Sequence, residues 1–343
     1  MSHELELNEN GEARMFYAGE LPWHKLGTKV EKEVTAEAAI KLAGLDWVVE
    51  KRDIFTQGNV CIDDIPVVGQ KIGTHKAIVR TEDESILGVV GNSYEPIQNS
   101  EAFGFLDALV GEGLAMFHTA GSLFDGKRIF ITCKLPNSIQ VGPDQVDKYL
   151  ALATSHDGSL SLHIKWTPIR VVCWNTMSAA FNIFGGKVHA QDVVSVRHTA
   201  NYKDNIQEAR RLLNLTDVYY QRVEACFNQL IKTPISDTGF QQFTDKLYEP
   251  TIEDENGNKT ASKYCEKKRE QARELFHLGI GNNVQDVKGT RWAALNAITE
   301  QVDHHRNYYT STYGGNENDA KMNSVIWGSG ATTKKRALEL LTA

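Results

Sequence analysis

The sequence predicts an α+β fold: a curved antiparallel sheet with hairpins and packed helices in the N-terminal half, and a mainly helical C-terminal half. Three observations predict it. From residue 46 to about 175, apolar and polar residues alternate in short runs bounded by Gly and Asp, the pattern of half-buried strands. From Asn175 onward the apolar spacing becomes helical. At 343 residues the chain can bury a sizeable core and fill two units. The division expected is an α+β sheet domain with a basic hairpin region over 1–200, and a mainly helical region over 201–343 with a polar loop near 250–262.

Thr35 before "AEAAIKLAGLDW" reads as the N-cap of a short helix that Gly44 ends. The runs "DWVVEKRDIF", "HKAIVRT" and "ILGVVG" read as strands between Gly- and Asp-rich turns. "IQNSEAFGFLDALVGEG" is a helix capped by Asn99 or Ser100, with Phe103, Leu106, Leu109 and Val110 at helical spacing. Two hairpins follow. Asp125-Gly126 is a type I′ signal, because Gly accepts positive φ without steric cost, and Asp157-Gly158 centres the second. "NTMSAAFNIF", "NYKDNIQEARRLLNLTDVYYQRVEACFNQLI", "KKREQARELFHLG", "GTRWAALNAITEQVDHHRNYYT" and "TTKKRALELLTA" read as helices.

Composition narrows the function. The net charge is -7, and it is unevenly spread. Residues 1–113 hold 20 acids and 10 Lys/Arg (-10), residues 114–200 hold 5 and 8 (+3), and the rest hold 19 of each, which sums to -7. Local field rather than overall charge governs anion binding, so the net-basic third is where a polyanion site is expected. No apolar run approaches a membrane span, and the acidic, polar start is unlike a secretory or transit leader. A cytoplasmic protein with no membrane association is expected. The five cysteines are widely spaced without a CxxC pair, which points to buried free thiols. Neither GxxxxGK[ST] nor a helix-opening GxGxxG is present, which removes an ATP-driven recombinase or helicase. No cofactor is called for.

The densest stretch is "ATSHDGSLSLHIKWTPIRVVCWNTMSAAF", residues 151–179. Lys165, Trp166 and Arg170 lie on its hairpin, and Lys127 and Arg128 open the strand after the preceding turn. With Lys187 and Arg197 they offer cations and an aromatic face, the parts that single-stranded nucleic-acid binding combines. The alternative is that Trp166 and Trp174 are core aromatics and the cations a solvated face. Ser155, His156 and Asp157, or Cys173 with His163, contain nucleophile and base types, but a triad is defined by geometry rather than adjacency. Asp303, His304 and His305 in "VDHHR" resemble the Asp-His-His signature of metal-dependent phosphoesterases. Adjacent histidines on a helix point about 100° apart, which disfavours one shared ion.

"PWHKLG", "LGVVGNSYEPIQNSEAF", "TAGSLFDGKRIF", "TSHDGSLSL", "TPIRVVCWNT", "GTRWAALNAITEQVDHHR" and "WGSGATTKKRALELL" together resemble the phage- and plasmid-borne family catalogued as domain of unknown function 932. That resemblance implies genes of replication, recombination or defence evasion. The strand–strand–strand–helix plus hairpin order is also similar to ring-forming single-strand annealing recombinases, which bind single strands without ATP. The expectation is therefore a phage or plasmid DNA-metabolism protein that binds single-stranded DNA as a homo-oligomer, in ring form if that likeness holds, and promotes annealing. A replication or defence protein is a further expected partner. Two rivals stand beside it. One is a metal-dependent nuclease or phosphoesterase using His156, Asp157, Asp303, His304 and His305. The other is an interaction protein that blocks a host factor through its acidic first third, Glu82, Asp83 and Glu84 included.

Overall fold

The computed structural model describes residues 6, 14–18, 27–30, 35–62, 65–111, 114–170, 175–176, 193–204, 216–249, 252–253, 259–260, 263–306, 324–325 and 328–343. The α+β class holds. One long sheet is built from β1 (Met15–Ala18), β2 (Thr28–Val30), β6 (Met116–Leu123), β7 (Arg128–Lys134), β8 (Ile139–Val141), β9 (Asp144–Ser155), β10 (Leu162–Arg170), β11 (Asn175–Thr176) and β12 (Val193–Val196). Its path runs β11-β10-β9-β7-β6-β1-β2, with β12 also on β10 and β8 on β9. A separate three-stranded sheet holds β3 (Val49–Ile62), β4 (Ile65–Arg80) and β5 (Ile86–Gly91).

The expected single curved antiparallel sheet is overturned. The strands divide between a nine-stranded sheet, the three-stranded sheet and a two-stranded hairpin, and no described sheet is curved or closed. The long sheet is also mixed, because β1 runs parallel to β2 and antiparallel to β6. Alternation sets which residues face inward, but it does not say which strands pair, so residues 46–91 read the same whether or not they join the larger sheet.

Local signals behave as the residues dictate. Thr35 accepts from the Ala38 amide at 3.3 Å at the start of α1 (Ala36–Leu42), and Gly44 takes φ +62° just past its end. Asp125 and Gly126 have φ of 55° and 86°, as a type I′ turn requires, and the Lys127 amide closes it on the Phe124 carbonyl at 3.2 Å. Helix α2 spans Asn99–Gly111. "NTMSAAFNIF", expected as helix, instead starts as a strand, since Asn175 pairs with Arg170 and Thr176 with Ile169. Its remaining residues lie outside those described. The polar loop near 250–262 holds the two-stranded hairpin, β13 (Ile252–Glu253) with β14 (Lys259–Thr260).

The described helices of the C-terminal half are α3 (Thr216–Lys232), α4 (Asp237–Leu247), α5 (Lys263–Leu278), α6 (Arg291–His304) and α7 (Ser329–Thr342). One apolar cluster joins both sheets to these helices, running through Phe16, Ile78, Leu150, Trp166, Tyr219, Trp292 and Leu338. Polar clasps fix the register of helices on strands. The Tyr220 hydroxyl accepts from the Tyr149 amide at 2.9 Å and donates to its carbonyl at 2.6 Å. Trp292 Nε1 donates to Asp144 Oδ2 at 2.7 Å, joining α6 to β9 across a buried contact. Each clasp satisfies a polar group that burial would otherwise leave costly.

Candidate nucleic-acid interface

Three of the residues expected to form a groove, Arg128, Lys165 and Trp166, are buried. Trp166 is completely buried, stacked on Tyr219 with centroids 5.2 Å apart, and donates through Nε1 to Thr216 Oγ1 at 2.9 Å. Its neighbour Lys165 is also buried, so both faces of β10 are covered. Arg128 is buried too, with Nη2 3.0 Å from Ser159 Oγ and its guanidinium 5.3 Å from the Phe124 ring. Lys127 is half-buried in the type I′ turn, and its carbonyl accepts from the His156 amide at 2.8 Å. Arg197 is exposed just after β12. Arg170 pairs through its backbone with Val146 and Asn175, while its side chain, like Lys187 and Cys173, lies outside the described residues. As placed, the buried members have no surface on which to meet a phosphate or a base.

The turn between β9 and β10 is a keystone. The side chains of Ser155, His156 and Asp157 go three separate ways. Ser155 Oγ donates to the Leu160 carbonyl at 3.1 Å and Asp157 Oδ1 accepts from the Ser159 amide at 2.8 Å. His156 points into the core, edge-on to Trp47 at 5.2 Å. Because Asn99 Nδ2 donates to the Leu45 carbonyl at 3.0 Å, its Oδ1 faces His156 Nε2 at 2.9 Å. Nε2 therefore carries the proton, and Nδ1 is a buried lone pair without a donor among the described residues. The turn also locks onto the small sheet: a Cβ on Gly88 would lie 2.5 Å from Asp157 Cα, so only glycine allows this approach.

A pH dependence follows. Burial, reinforced by the nearby His198, pushes His156 down to about 3. The unfolded chain takes up a proton near the ordinary histidine value of about 6.5, and the folded chain does not. Stability is therefore complete above about 6.5 and falls as pH drops below it, by about 1.4 kcal/mol per pH unit per such group. The urea midpoint is expected to fall between pH 7.5 and 5. An unchanged midpoint over that range would show His156 to be free to protonate in the folded state.

A different surface combines exposed cations with an aromatic ring. β3 and β4 are far longer than the five or six residues usual for strands, and their pairing continues out to Ile62 with Ile65. Near the base, Val49, Ile78, Leu87 and Val90 point into the core. Beyond Asp53 the two strands leave it: residues 55–57 and 70–75 are all exposed. The stretch from Ile54 to Ile62 reaches roughly 25 Å at about 3.3 Å per residue. A bulge marks the departure, since Asp53 pairs with Lys76 and Ile54 with Ile72, leaving 73–75 without partners on β3. The Asn92 side chain anchors it by donating to the Gly73 carbonyl.

Cross-strand pairing sorts this arm into two faces. Lys51, Asp53 and Phe55 on β3 share a side with Lys76 and Lys71 on β4, the side that is continuous with the core. Lys71 Nζ lies 2.7 Å from Asp53 Oδ2, and Lys76 grips Asp53 Oδ1. Lys51 donates to Glu95 Oε1 at 2.8 Å. The hydrogen bonds from Lys71 and then Lys76 hold the Asp53 carboxyl below its usual range. One carboxylate thus serves two ammonium groups beside an exposed Phe55 ring. Sequence reasoning passed over Phe55, Lys71 and Lys76. The signal that could have found them is strand-type alternation continuing through 49–80, too long for strands that merely cover a core.

The fold and this surface define an α+β protein with a cationic–aromatic arm and a main core shared by both sheets and the C-terminal helices. The chain belongs to the family described as Domain of unknown function (DUF932), associated with phages and plasmids, whose model matches residues 86–327. No curated protein and no solved structure matches it. Among the described residues, no helix is long and apolar enough to cross a membrane, and no three His, Cys, Asp or Glu side chains are grouped to hold a metal ion.

Proposed function

We propose that this is a phage or plasmid DNA-metabolism protein that binds single-stranded DNA as a homo-oligomer and promotes annealing without ATP. The supporting observation is the inner face of the arm, where Lys71 and Lys76 share Asp53 beside Phe55. Phosphates replace Asp53 as the partner of the two lysines, and Phe55 stacks on a base. Stacking of this kind is worth about 1–3 kcal/mol per base and tolerates any sequence. The reading moves the contact from the buried hairpin residues to a ribbon whose side chains already meet solvent.

The test is fluorescence anisotropy of a labelled single-stranded oligonucleotide at two salt concentrations without added metal. Lys71→Ala/Lys76→Ala is expected to weaken binding and lower the log–log salt slope by about 0.7 per lost contact. Phe55→Ala weakens it by about 1–3 kcal/mol with the slope unchanged. Failure of the folded wild-type protein to bind at low salt overturns the reading. So does binding that survives all three substitutions.

A further inference from the structure

The opposite, outer face of the three-stranded sheet has a different character. Val48, one residue before β3, is 48% exposed, and on β5 Ile86 and Val89 are 65% and 57% exposed. Alternation and register put them on one side: Val79 pairs with Ile86 and Ala77 with Val89, opposite to the core-facing Ile78, Leu87 and Val90. Val48 lies at one edge of this face and Ile86 and Val89 at the other, with the nearly buried Val79 and Ala77 of β4 between them, so apolar side chains run across the sheet as in an interaction patch. The charges beside it are mostly of one sign. Arg52 meets both Glu50, at 3.4 Å, and Glu84, so two exposed carboxylates answer one guanidinium. Glu82 and Asp83 in the same turn are already answered by Arg14 and Arg80, and exposed Asp46 lies two residues before Val48.

We infer that this outer face is a docking surface for a cationic, amphipathic segment of another protein. Its apolar residues would cover Val48, Ile86 and Val89, and its lysines or arginines would reach Glu50 and Glu84, which share one guanidinium. Charge selects the partner. A second copy laid face to face would bring the same excess carboxylates together, which opposes association. A basic segment gains both apolar burial and charge complementarity. The inference does not depend on DNA binding, which uses the other face of the sheet.

The probe is a synthetic helical peptide of leucine and lysine with its leucines on one face. It is compared with a scrambled peptide of equal composition and a leucine–glutamate version, by titration calorimetry on the full chain. The amphipathic basic peptide is expected to bind, and the other two are not. Ile86→Ser/Val89→Ser, which leaves the charge unchanged, and Glu50→Gln/Glu84→Gln are each expected to weaken binding tenfold or more, with circular dichroism unaltered. Equal binding of the scrambled peptide, or affinity unmoved by both variants, overturns the inference. Sedimentation equilibrium supplies a second check. An assembly that falls to monomer in Ile86→Ser/Val89→Ser shows a second copy on this face and also overturns it. Oligonucleotide binding, measured separately, fails or survives independently of either outcome.

Discussion

Asp303→Ala is expected to cost about 3–5 kcal/mol of stability, the usual cost of removing one partner from a buried ion pair. Lys334 on α7 is completely buried, and its Nζ lies 2.8 Å from Asp303 Oδ1 on α6, itself almost fully buried. Burial pushes the lysine below its ordinary value while Asp303 favours its charged form. Without the carboxylate, the buried ammonium loses its ion-pair partner and keeps the repulsion of nearby Lys165. Asp303→Asn retains an acceptor and loses less. Urea unfolding at pH 7.5 measures both, and a loss under about 1 kcal/mol for the alanine variant would mean that the pair does not hold α7 to α6. The result also bears on "VDHHR". Asp303 is engaged by Lys334, and His305 Nε2 stands 3.8 Å from Glu300 Oε1, whose other oxygen accepts from the Ile280 amide at 3.0 Å.

Trp166→Ala is expected to be as damaging, about 3–5 kcal/mol, because a large aromatic leaves a fully enclosed cavity. The lost contacts are the Tyr219 stack and the bond to Thr216, both of which tie β10 to α3 or the residue that opens it. Trp166→Phe keeps an aromatic ring against Tyr219 but forfeits the hydrogen bond and part of the ring volume, for about 1–3 kcal/mol. The measurement is thermal or urea unfolding without nucleic acid. A Trp166→Ala protein as stable as wild type would show a side chain spare enough to stack on bases.

Much of the secondary structure was legible because local chemistry dictates it. Thr35, Asp125-Gly126 and Gly44 act through their own backbone or nearest neighbours, so a single sequence suffices to read them. The helix expected from Asn175 starts instead as a strand, because pairing with β10 decides the outcome at Asn175 and Thr176, the only two of its residues that are described. Sheet membership was illegible for the reason that Met15–Ala18 shows: its partners, Thr28–Val30 and Thr119–Gly121, are chosen by tertiary packing. The site was hardest to read. Lys165, Trp166 and Arg128 have the composition of a binding hairpin, and no local feature announces that helices and turns cover them. Lys71 and Lys76 carry no local signal, since the register that gathers both on Asp53 depends on a bulge.

The place of β1 has a consequence for how the molecule is made. It is the first described strand of the chain, yet it lies inside the long sheet, between β2 and β6. Met15 pairs with Gly121, so on the ribosome the segment emerges long before the strand that completes it, and the whole three-stranded sheet is synthesised in between. Contacts of such sequence separation are slow to form, and an unpaired strand edge is open to wrong partners meanwhile. The parallel pairing with Thr28–Val30 gives β1 an early neighbour on one side. The other side stays unfilled until β6 arrives, which makes the passage from residue 18 to residue 116 the vulnerable interval in the birth of this protein.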